Sequence, residues 1–593
     1  MVLDSLLLPW AATYLRTFPR MSPSALLQYL VFLAIVTLLV RPVGRYMARV
    51  FSRERTLLDP WLCPAERLLY RLTGVKPESE MRWQEYAGAF VIFSMTGALL
   101  LYVILRLQRF LPWFYPSNMT SPMTPDLAMN TAISFSTTTT WQAYAGETTL
   151  SYFSQIVGLT LQNFLAGAAG LAVGVAFVRG MARDRAATVG NFWVDLVRSI
   201  LWVLLPLSIL GALLLMWQGV PMNFHPYTRA TGLEGAIQTI AQGPVAALEI
   251  IKNLGTNGGG FFNANGAHPY ENPTPLANLL EMVAIAVLPA AFTQTYGVMI
   301  GRPRHGWMLY GVMVVLFTAG LLVCGWAEQR GNPRLSRALN IGAGPSQAGG
   351  NMEGKEVRFG ITSSVLTAVT TSNGATGSYN SMHDSYTPIG GMVPLVNMLL
   401  GEIVFGGLGS GLYSIIMIAL VALFLAGLMI GRTPAYLGKR IRAAESKMIM
   451  LYILASSISI LLFSALAVMT KSGLGGLVTN SGPHGFTEIL FAYASASANN
   501  GQNFAGLNAD GIFYNLTTAI TMMVGRFGLA IPALALAGLF AAQQPAPESA
   551  GTLPTNSMSF AVLLTSTALI VSALNYFPAL ALGPLLDHLT MVR

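Results

Sequence analysis

Ten apolar runs recur along the sequence, and each is long enough to cross the hydrocarbon core of a bilayer, which is about 30 Å thick. Apolar runs of this length are typical of transmembrane helices. They cover residues 24–40, 86–107, 150–178, 194–217, 276–300, 307–326, 392–430, 447–469, 512–541 and 557–581. This pattern predicts an all-α polytopic membrane protein with about ten transmembrane helices.

The composition excludes several other classes of protein. Only 10% of the 593 residues are Asp, Glu, Lys or Arg, whereas soluble domains contain about 25%. So few charged side chains cannot provide a solvated surface, which excludes a soluble enzyme, a nucleic-acid-binding protein and a disordered scaffold. The two cysteines, Cys63 and Cys324, lie far apart without a partner motif. A disulfide framework and a CxxC metal or redox site are therefore excluded as well.

Basic residues predict the orientation of the helices in the membrane. The segment 41–85 carries nine Lys or Arg. Further basic residues follow the third, fifth and seventh runs: Arg179, Arg183, Arg185, Arg302, Arg304, Arg432, Lys439, Arg440, Arg442 and Lys447. Because positive residues are retained on the cytoplasmic side, we predict that 41–85 is a cytoplasmic loop and that both termini lie outside. Residues 1–23 are expected to form an N-terminal extension, in which Met21 is an alternative start to Met1.

Four of the runs are followed, on the outer side, by a short segment that ends in a knot of Thr, Ser, Asn and Gly. The segments are Thr131–Gln142, Ala246–Gly266, Ser363–Tyr379 and Ala492–Gly506. The part before each knot has about 10–14 residues, which is too short to span the membrane but long enough for a half-helix. A span, a half-helix, a polar strand and a second span thus form one unit that is repeated in tandem.

The repeated units predict the organisation of the whole chain. Four pore units are expected at residues 86–178, 194–300, 307–430 and 447–541. One extra transmembrane helix precedes them at 24–40, and another follows them at 557–581.

Four re-entrant loops that meet on one axis would form a pathway for a cation. Non-helical backbone at membrane depth is tolerated only where protein buries it or water lines it. Each half-helix would direct its negative C-terminal end at the axis, and a ring of carbonyl oxygens can replace the hydration shell of a monovalent cation. Magnesium and calcium usually require carboxylates, which the knots lack, so potassium fits best and sodium less well. For any single knot, the alternative is an ordinary solvent loop.

The most specific motif is Leu254–Pro275, which reads LGTNGGGFFNANGAHPYENPTP. Other distinctive stretches are Thr148–Leu165, Ser381–Pro394, Gly401–Ser414, Pro483–Phe491 and Val524–Leu529. With these motifs the chain resembles, from about residue 25 to 590, the potassium-binding, channel-like subunit of the bacterial Kdp potassium-transporting P-type ATPase. That family belongs to a superfamily of potassium transporters built from four span–loop–span units, in agreement with the repeats.

The resemblance implies a potassium filter with three residues from each knot. These residues are Thr138, Thr139 and Thr140; Thr256, Asn257 and Gly258; Ser372, Asn373 and Gly374; and Asn499, Asn500 and Gly501. Two departures from the family pattern concern the first and third knots. The first knot reads STTTT where the family often alternates Thr and Asn, and the third loop is longer between Gly374 and Met382.

The resemblance also implies a gating loop below the filter, at Gly401–Ser414. Four glycines fall within six positions there, Gly406, Gly407, Gly409 and Gly411, and they should break the helix. The alternative is a close crossing of helices through small residues. Glu402 would be costly against lipid, so we expect it either to face a wet cavity or to pair with a backbone amide or an arginine.

Arg526 lies inside an apolar run, where an unpaired charge is costly. It would either repel potassium near the pore or act as a buried counter-charge that holds the fourth loop. Gln142 resembles a family residue that lines the cavity under the filter. Glu249 and Lys252 are expected to brace the second half-helix rather than to touch an ion. The six histidines show no spacing typical of metal ligands.

The chain lacks a source of energy of its own, because it contains neither a complete P-loop nor a DKTG phosphorylation motif. The resemblance implies a non-catalytic subunit in the bacterial inner membrane that delivers potassium to a catalytic P-type ATPase subunit (KdpB-like). A single-span accessory subunit (KdpC-like) and a small single-helix peptide (KdpF-like) would complete the complex. The first alternative is a self-sufficient potassium channel or uniporter. The second, a membrane-embedded enzyme, would need convergent catalytic groups, and the spans hold few ionisable residues.

Overall fold

We describe the fold from a computed structural model, which covers residues 22–110, 123–335, 349–431, 434–545 and 554–592. The N-terminal extension expected over residues 1–23, with Met21, lies outside these ranges except for its last two residues. Helices form most of the described chain, and the β-structure consists of two short antiparallel hairpins.

The helices of the first half are α1 (Pro23–Phe51), α2 (Asp59–Thr73), α3 (Trp83–Leu107), α4 (Pro125–Ser136), α5 (Gly146–Thr149), α6 (Leu161–Ala182), α7 (Phe192–Arg198), α8 (Leu205–Trp217), α9 (Val245–Leu254) and α10 (Pro275–Met299). Those of the second half are α11 (Pro303–Arg330), α12 (Gly360–Asn373), α13 (Pro388–Leu399), α14 (Ser410–Ile430), α15 (Ala443–Met469), α16 (Lys471–Leu474), α17 (Gly482–Ser497), α18 (Ile512–Ala541), α19 (Met558–Leu580) and α20 (Leu586–Val592). The hairpins pair β1 (Thr228–Thr231) with β2 (Ile237–Ile240) and β3 (Ala435–Tyr436) with β4 (Lys439–Arg440).

Ten helices in the described ranges are long and apolar enough to cross a membrane. Three of them include a π-helical turn: Ser154–Thr160 precedes α6, Ser199–Leu204 joins α7 to α8, and Ala581–Leu585 joins α19 to α20. The prediction of about ten transmembrane helices is confirmed.

The segment 41–85 differs from the loop that the sequence predicts. Helix α1 continues to Phe51, and α2 occupies Asp59–Thr73. The basic residues obscure these helices in a hydropathy pattern, although arginine is a good helix former. Helix α2 lies at the surface, where only Glu66 and Tyr70 of its fifteen residues are buried.

Several helices begin at a proline next to a capping residue, which is a favourable arrangement because proline has no N–H group to leave unpaired. The Thr274 side chain accepts a hydrogen bond from the Ala277 amide at the start of α10, and Thr387 caps α13 in the same way. These prolines and capping side chains fix the residue at which each helix begins after a polar loop.

The chain repeats one arrangement four times: a span, a short pore helix, an irregular loop and a second span. The pore helices are α4, α9, α12 and α17. They lie in the centre of the molecule, and most of their side chains are buried. Helix α1 packs against α10, where the Thr295 hydroxyl donates to the Gly44 carbonyl at 3.0 Å.

The basic connections gather on one face of the molecule. The Met81 amide donates to the Gly190 carbonyl at 2.7 Å, which joins the connections before α3 and α7. The Gln543 carbonyl accepts from the Arg185 amide, and its side chain accepts from the Arg440 amide. These contacts bring together the connections around Met81, Arg185 and Arg440, which are far apart in sequence, so the basic residues of these connections share one surface. Arg432 lies outside the described residues.

Candidate functional site

The loops that follow the four pore helices have one backbone pattern in common. In each loop the second and fourth residues after the helix have a positive φ angle, and the residue between them does not. The pairs are Thr138 and Thr140, Thr256 and Gly258, Ala375 and Gly377, and Asn499 and Gly501. We call the residues 138–140, 256–258, 375–377 and 499–501 the ring triplets, each with a first, a middle and a third residue.

The middle residue of each triplet is anchored in the same way. Its amide donates to the carbonyl five residues earlier, inside the pore helix, at 2.9–3.2 Å. The donor and acceptor pairs are Thr139 to Ser134, Asn257 to Lys252, Thr376 to Thr371 and Asn500 to Ser495. This bond, after a residue of positive φ, is that of a Schellman C-cap, and all four pore helices end with it even though their sequences differ.

The triplets contact one another in a closed ring, in the order of the chain. A side chain at Gly258 would overlap the Thr376 carbonyl oxygen, one at Gly377 would overlap that of Asn500, and one at Gly501 that of Thr139. The fourth contact closes the ring, because the Thr140 hydroxyl donates to the Asn257 carbonyl. Each third residue therefore touches the middle carbonyl of the next triplet.

The structure brings together nine of the twelve residues expected from the sequence, but it shifts the third set by three positions. Ser372 and Asn373 belong to the last turn of α12, and Gly374 is its C-cap. The residues with the ring geometry are Ala375, Thr376 and Gly377. The sequence SNG at residues 372–374 resembles the other knots. However, the ring begins two residues after the pore helix, and α12 extends to Asn373.

A vestibule of about 850 Å³ opens on the side of the ring that faces away from the basic connections, and we call this side the outer side. It narrows to a mouth of about 40 Å³ that is lined by three of the four third residues, Thr140, Gly377 and Gly501. Gln142 lines both spaces, and its side chain accepts from the Gly260 amide at 2.8 Å. The expected position of Gln142 under the ring is thus wrong, because the loop runs outward again after the triplet.

A cavity of about 80 Å³ lies on the opposite side of the ring, against the first residues Thr138, Thr256, Ala375 and Asn499. Glu402 and Arg526 are among the residues that line it. The axis through the ring therefore joins an outer vestibule to an inner cavity, with only the triplets between them.

The glycine-rich break that the sequence predicts forms the floor of this cavity. Helix α13 ends at Leu399 and α14 begins at Ser410, so residues 400–409 cross the interior without a helix. Gly406, Gly407 and Gly409 lie in this break, whereas Gly411 belongs to α14. The break docks on the second loop, since the Leu408 amide donates to the Thr256 hydroxyl at 2.7 Å.

The two charged residues of the cavity differ in their hydrogen bonds. Arg526 donates to the Thr138 hydroxyl and to the Ala166 carbonyl, both at 3.0 Å. These hydrogen bonds join Arg526 to the first loop and to α6. Glu402 has a positive φ angle and is 6% exposed, and its Oε1 has no hydrogen-bond partner among the described residues.

Ion pairs support the pore loops from behind. In the second unit Lys252 contacts Glu249 and Glu271, each at 2.7 Å, and the three side chains are almost fully buried. The backbone carbonyl of Lys252 also accepts the hydrogen bond from the Asn257 amide that anchors the second triplet. This arrangement is the brace that the sequence predicts for Glu249 and Lys252, with Glu271 as a further member.

Braces in the third and fourth units escaped the sequence analysis. Lys355 pairs with Glu328 at 2.7 Å beside the third loop. His484 lies between Asp384 and Asp587 at the outer end of α17, with contacts of 3.1 and 2.8 Å. Burial lowers the pKa of His484, but the hydrogen bonds to the two carboxylates outweigh it and raise the pKa to about 10. The partners are about 100 residues apart in sequence, so no spacing within one segment indicates this contact, although Asp384 and His484 lie in the Ser381–Pro394 and Pro483–Phe491 motifs.

Comparison with known proteins adds a family and a fold. A family model described as the potassium-transporting ATPase A subunit matches residues 30–589. The potassium-transporting ATPase potassium-binding subunit of Methylorubrum extorquens is 54% identical over 562 residues, which cover 95% of this chain and 97% of that protein. The protein with the same description from Acidobacterium capsulatum is 52% identical over 588 residues, with coverage of 96% and 99%.

The fold also resembles that of a solved potassium transporter. The crystal structure of TrkH from Vibrio parahaemolyticus superimposes with a TM-score of 0.50 over 83% of this chain and 96% of that chain. The two sequences are only 13% identical, so this similarity concerns the fold alone.

Proposed function

This chain belongs to the family of potassium-transporting ATPase A subunits, and on that premise we propose that it binds potassium in the ring of its four pore loops and delivers the ion to a separate ATP-hydrolysing subunit. The observation that carries the proposal is the closed ring of triplets between an outer vestibule and an inner cavity. The curated relatives are named as potassium-binding subunits of such an ATPase.

The chemistry of the ring favours a monovalent cation. The triplets contain Thr, Asn, Ala and Gly but no carboxylate, so their ligands for an ion are backbone and hydroxyl oxygens. The C-terminal ends of four buried pore helices adjoin the ring, and each carries a partial negative charge that stabilises a cation. A site of this kind can replace the hydration shell of potassium, whereas magnesium and calcium usually require carboxylates.

The surroundings of the ring support a path for the ion. Potassium would enter through the vestibule, lose its water in the ring and reach the cavity below it. On one side this cavity is lined by Tyr452 of α15 and by Ser572, Asn575 and Tyr576 of α19. These polar groups suggest a lateral exit between the helices, towards the pumping subunit, while the break at 400–409 closes the direct way across.

Uptake from traces of potassium requires energy from another subunit. A ten-thousand-fold gradient corresponds to about 5.5 kcal/mol, and the membrane potential supplies only about 2.3 kcal/mol per charge per 100 mV. We therefore propose a complex with a catalytic P-type ATPase subunit, a single-span accessory subunit and a small single-helix peptide. The basic face would lie in the cytoplasm of a bacterium and the vestibule outside the inner membrane, with both termini outside.

The test is the ATPase activity that copurifies with the tagged chain from its native membrane. We expect ATP hydrolysis that rises with potassium at low concentration and does not rise with sodium. Absence of any copurifying ATPase, together with passive potassium flux in vesicles that contain the chain alone, would instead support the alternative of a self-sufficient channel. Activity that does not depend on potassium would contradict the role of this chain in ion selection.

A further inference from the structure

One of the four seams of the ring differs from the others. At three seams the third residue is a glycine, and the carbonyl oxygen of the next triplet occupies the space of a side chain. At the fourth seam the third residue is Thr140, whose hydroxyl lies 2.8 Å from the Thr139 carbonyl and donates to that of Asn257. A side chain thus separates the first and second triplets, whereas backbone meets backbone elsewhere.

Thr140 adopts an unfavourable conformation at this seam. Its φ angle is +51°, a region that β-branched residues rarely occupy. The side chain is 2% exposed, so contact with solvent does not stabilise it. Glycine occurs at the three equivalent positions and would remove the strain. Strained residues of this kind are concentrated at functional sites, and the hydroxyl is the group that glycine would lack.

We propose that Thr140 is a specificity-determining residue, whose hydroxyl engages the ring carbonyls of Thr139 and Asn257 and thereby sets the discrimination between potassium and rubidium. This inference rests on the proposed function, because it assumes that the ion is bound in the ring. It concerns a residue in which this chain departs from the glycine of its own other three triplets.

The mechanism is competition for lone pairs. The hydroxyl has one hydrogen and donates it to one of two carbonyl oxygens that face the seam. A carbonyl that accepts this hydrogen bond offers less negative charge to an ion in the ring. Where the number and field strength of the coordinating oxygens set selectivity, a weaker field discriminates less against the larger rubidium ion. Removal of the hydroxyl should therefore shift the preference towards potassium.

The experiment measures equilibrium binding of potassium and of rubidium to the purified chain with its copurifying subunits. It compares the wild type with Thr140→Gly, Thr140→Ala and Thr140→Ser. We expect Thr140→Gly and Thr140→Ala to raise the ratio of rubidium to potassium dissociation constants by about threefold or more, which is the effect of about one hydrogen bond. Thr140→Ser keeps the hydroxyl and should retain the wild-type ratio. Thr140→Ala provides the same information if the glycine variant does not fold.

Three results would overturn the inference. If all variants keep the wild-type ratio, the hydroxyl does not affect discrimination. If the variants raise the dissociation constants of both ions by the same factor, Thr140 only holds two loops together. In both cases potassium binding by the wild type would still support the proposed function. If the wild type binds neither ion, the proposed function fails together with the inference.

Discussion

The second and fourth pore loops follow the same backbone path but are held by different side chains. In both, the ring begins two residues after the pore helix, and the middle amide donates to the carbonyl five residues earlier. Behind the second loop, Lys252 is completely buried between two glutamates. Behind the fourth, His484 is 22% exposed in its side chain and joins α17 to the C-terminal helix through Asp587.

This difference separates what makes a ring from what stabilises one quadrant of it. The shared features are backbone hydrogen bonds and the close approach of glycines to the next carbonyl, and these reside in the triplets. The braces use whatever residues each unit offers, so their chemistry differs. Substitutions at the ring glycines Gly258, Gly377 and Gly501 should therefore have similar effects, while substitutions in the braces should have unequal effects.

The largest effect is expected from an aspartate at a ring glycine. Gly258→Asp and Gly501→Asp would each force a side chain against a carbonyl oxygen of the neighbouring triplet. We expect both to raise the potassium concentration for half-maximal ATPase activity at least about a hundredfold, which corresponds to ~2.7 kcal/mol. Gly301→Asp is the matched control, because Gly301 has a positive φ angle but open space around it. A strong effect at only one ring glycine would contradict the equivalence of the quadrants.

A smaller but severe effect is expected from the brace of the second loop. Lys252→Met would leave Glu249 and Glu271 buried without their cation, and the loss of one partner of a buried pair costs about 3–5 kcal/mol. The measurement is thermal unfolding of the detergent-solubilised chain. Arg53→Met is the control, since Arg53 pairs with Glu78 at the surface, where about 0–1 kcal/mol is expected. Equal losses in the two variants would show that the buried cluster is not a brace.

The brace of the fourth loop should contribute less and should depend on pH. His484→Gln would remove charged hydrogen bonds to Asp384 and Asp587, with an expected cost of about 1–3 kcal/mol at neutral pH. Because folding raises the pKa of His484 from 6.5 to about 10, its stabilisation is complete below about pH 6.5 and is lost as the pH rises through 10.

The measurement for this brace is the difference in melting temperature between the wild type and His484→Gln across that pH range. The difference should shrink as the pH rises, while the loss caused by Lys252→Met should persist over the same range. A difference for His484→Gln that does not change with pH would mean that the charge of His484 does not stabilise the loop.

Much of this architecture could be predicted from the sequence, because it depends on patterns within one segment. Hydrophobic length gave the spans, and the glycines of Gly401–Ser414 gave the break under the ring. Ser372, Asn373 and Gly374 were predicted to lie in the ring, but they lie at the end of α12, because small polar residues do not mark where a helix ends. A rule that the ring starts two residues after the pore helix would have found Ala375–Gly377, but it requires the length of α12.

Side-chain partners that are distant in sequence could not be predicted in the same way. Gln142 was placed on the wrong side of the ring, although the outward course of the loop would have put it in the vestibule. The partners of Arg526 and His484 are brought together by packing of separate units. No periodicity or spacing within a segment indicates such contacts, so they emerge only from the folded structure.

The position of the ion itself tests the central claim most directly. The measurement is an anomalous difference map from crystals of the purified chain with its copurifying subunits, grown with thallium(I) in place of potassium. The anomalous scattering of thallium reports the position of a potassium-like ion. The account predicts a peak on the axis of the ring, in coordination distance of backbone oxygens from all four triplets. A ring without a peak, in a protein that binds the ion elsewhere, would contradict it.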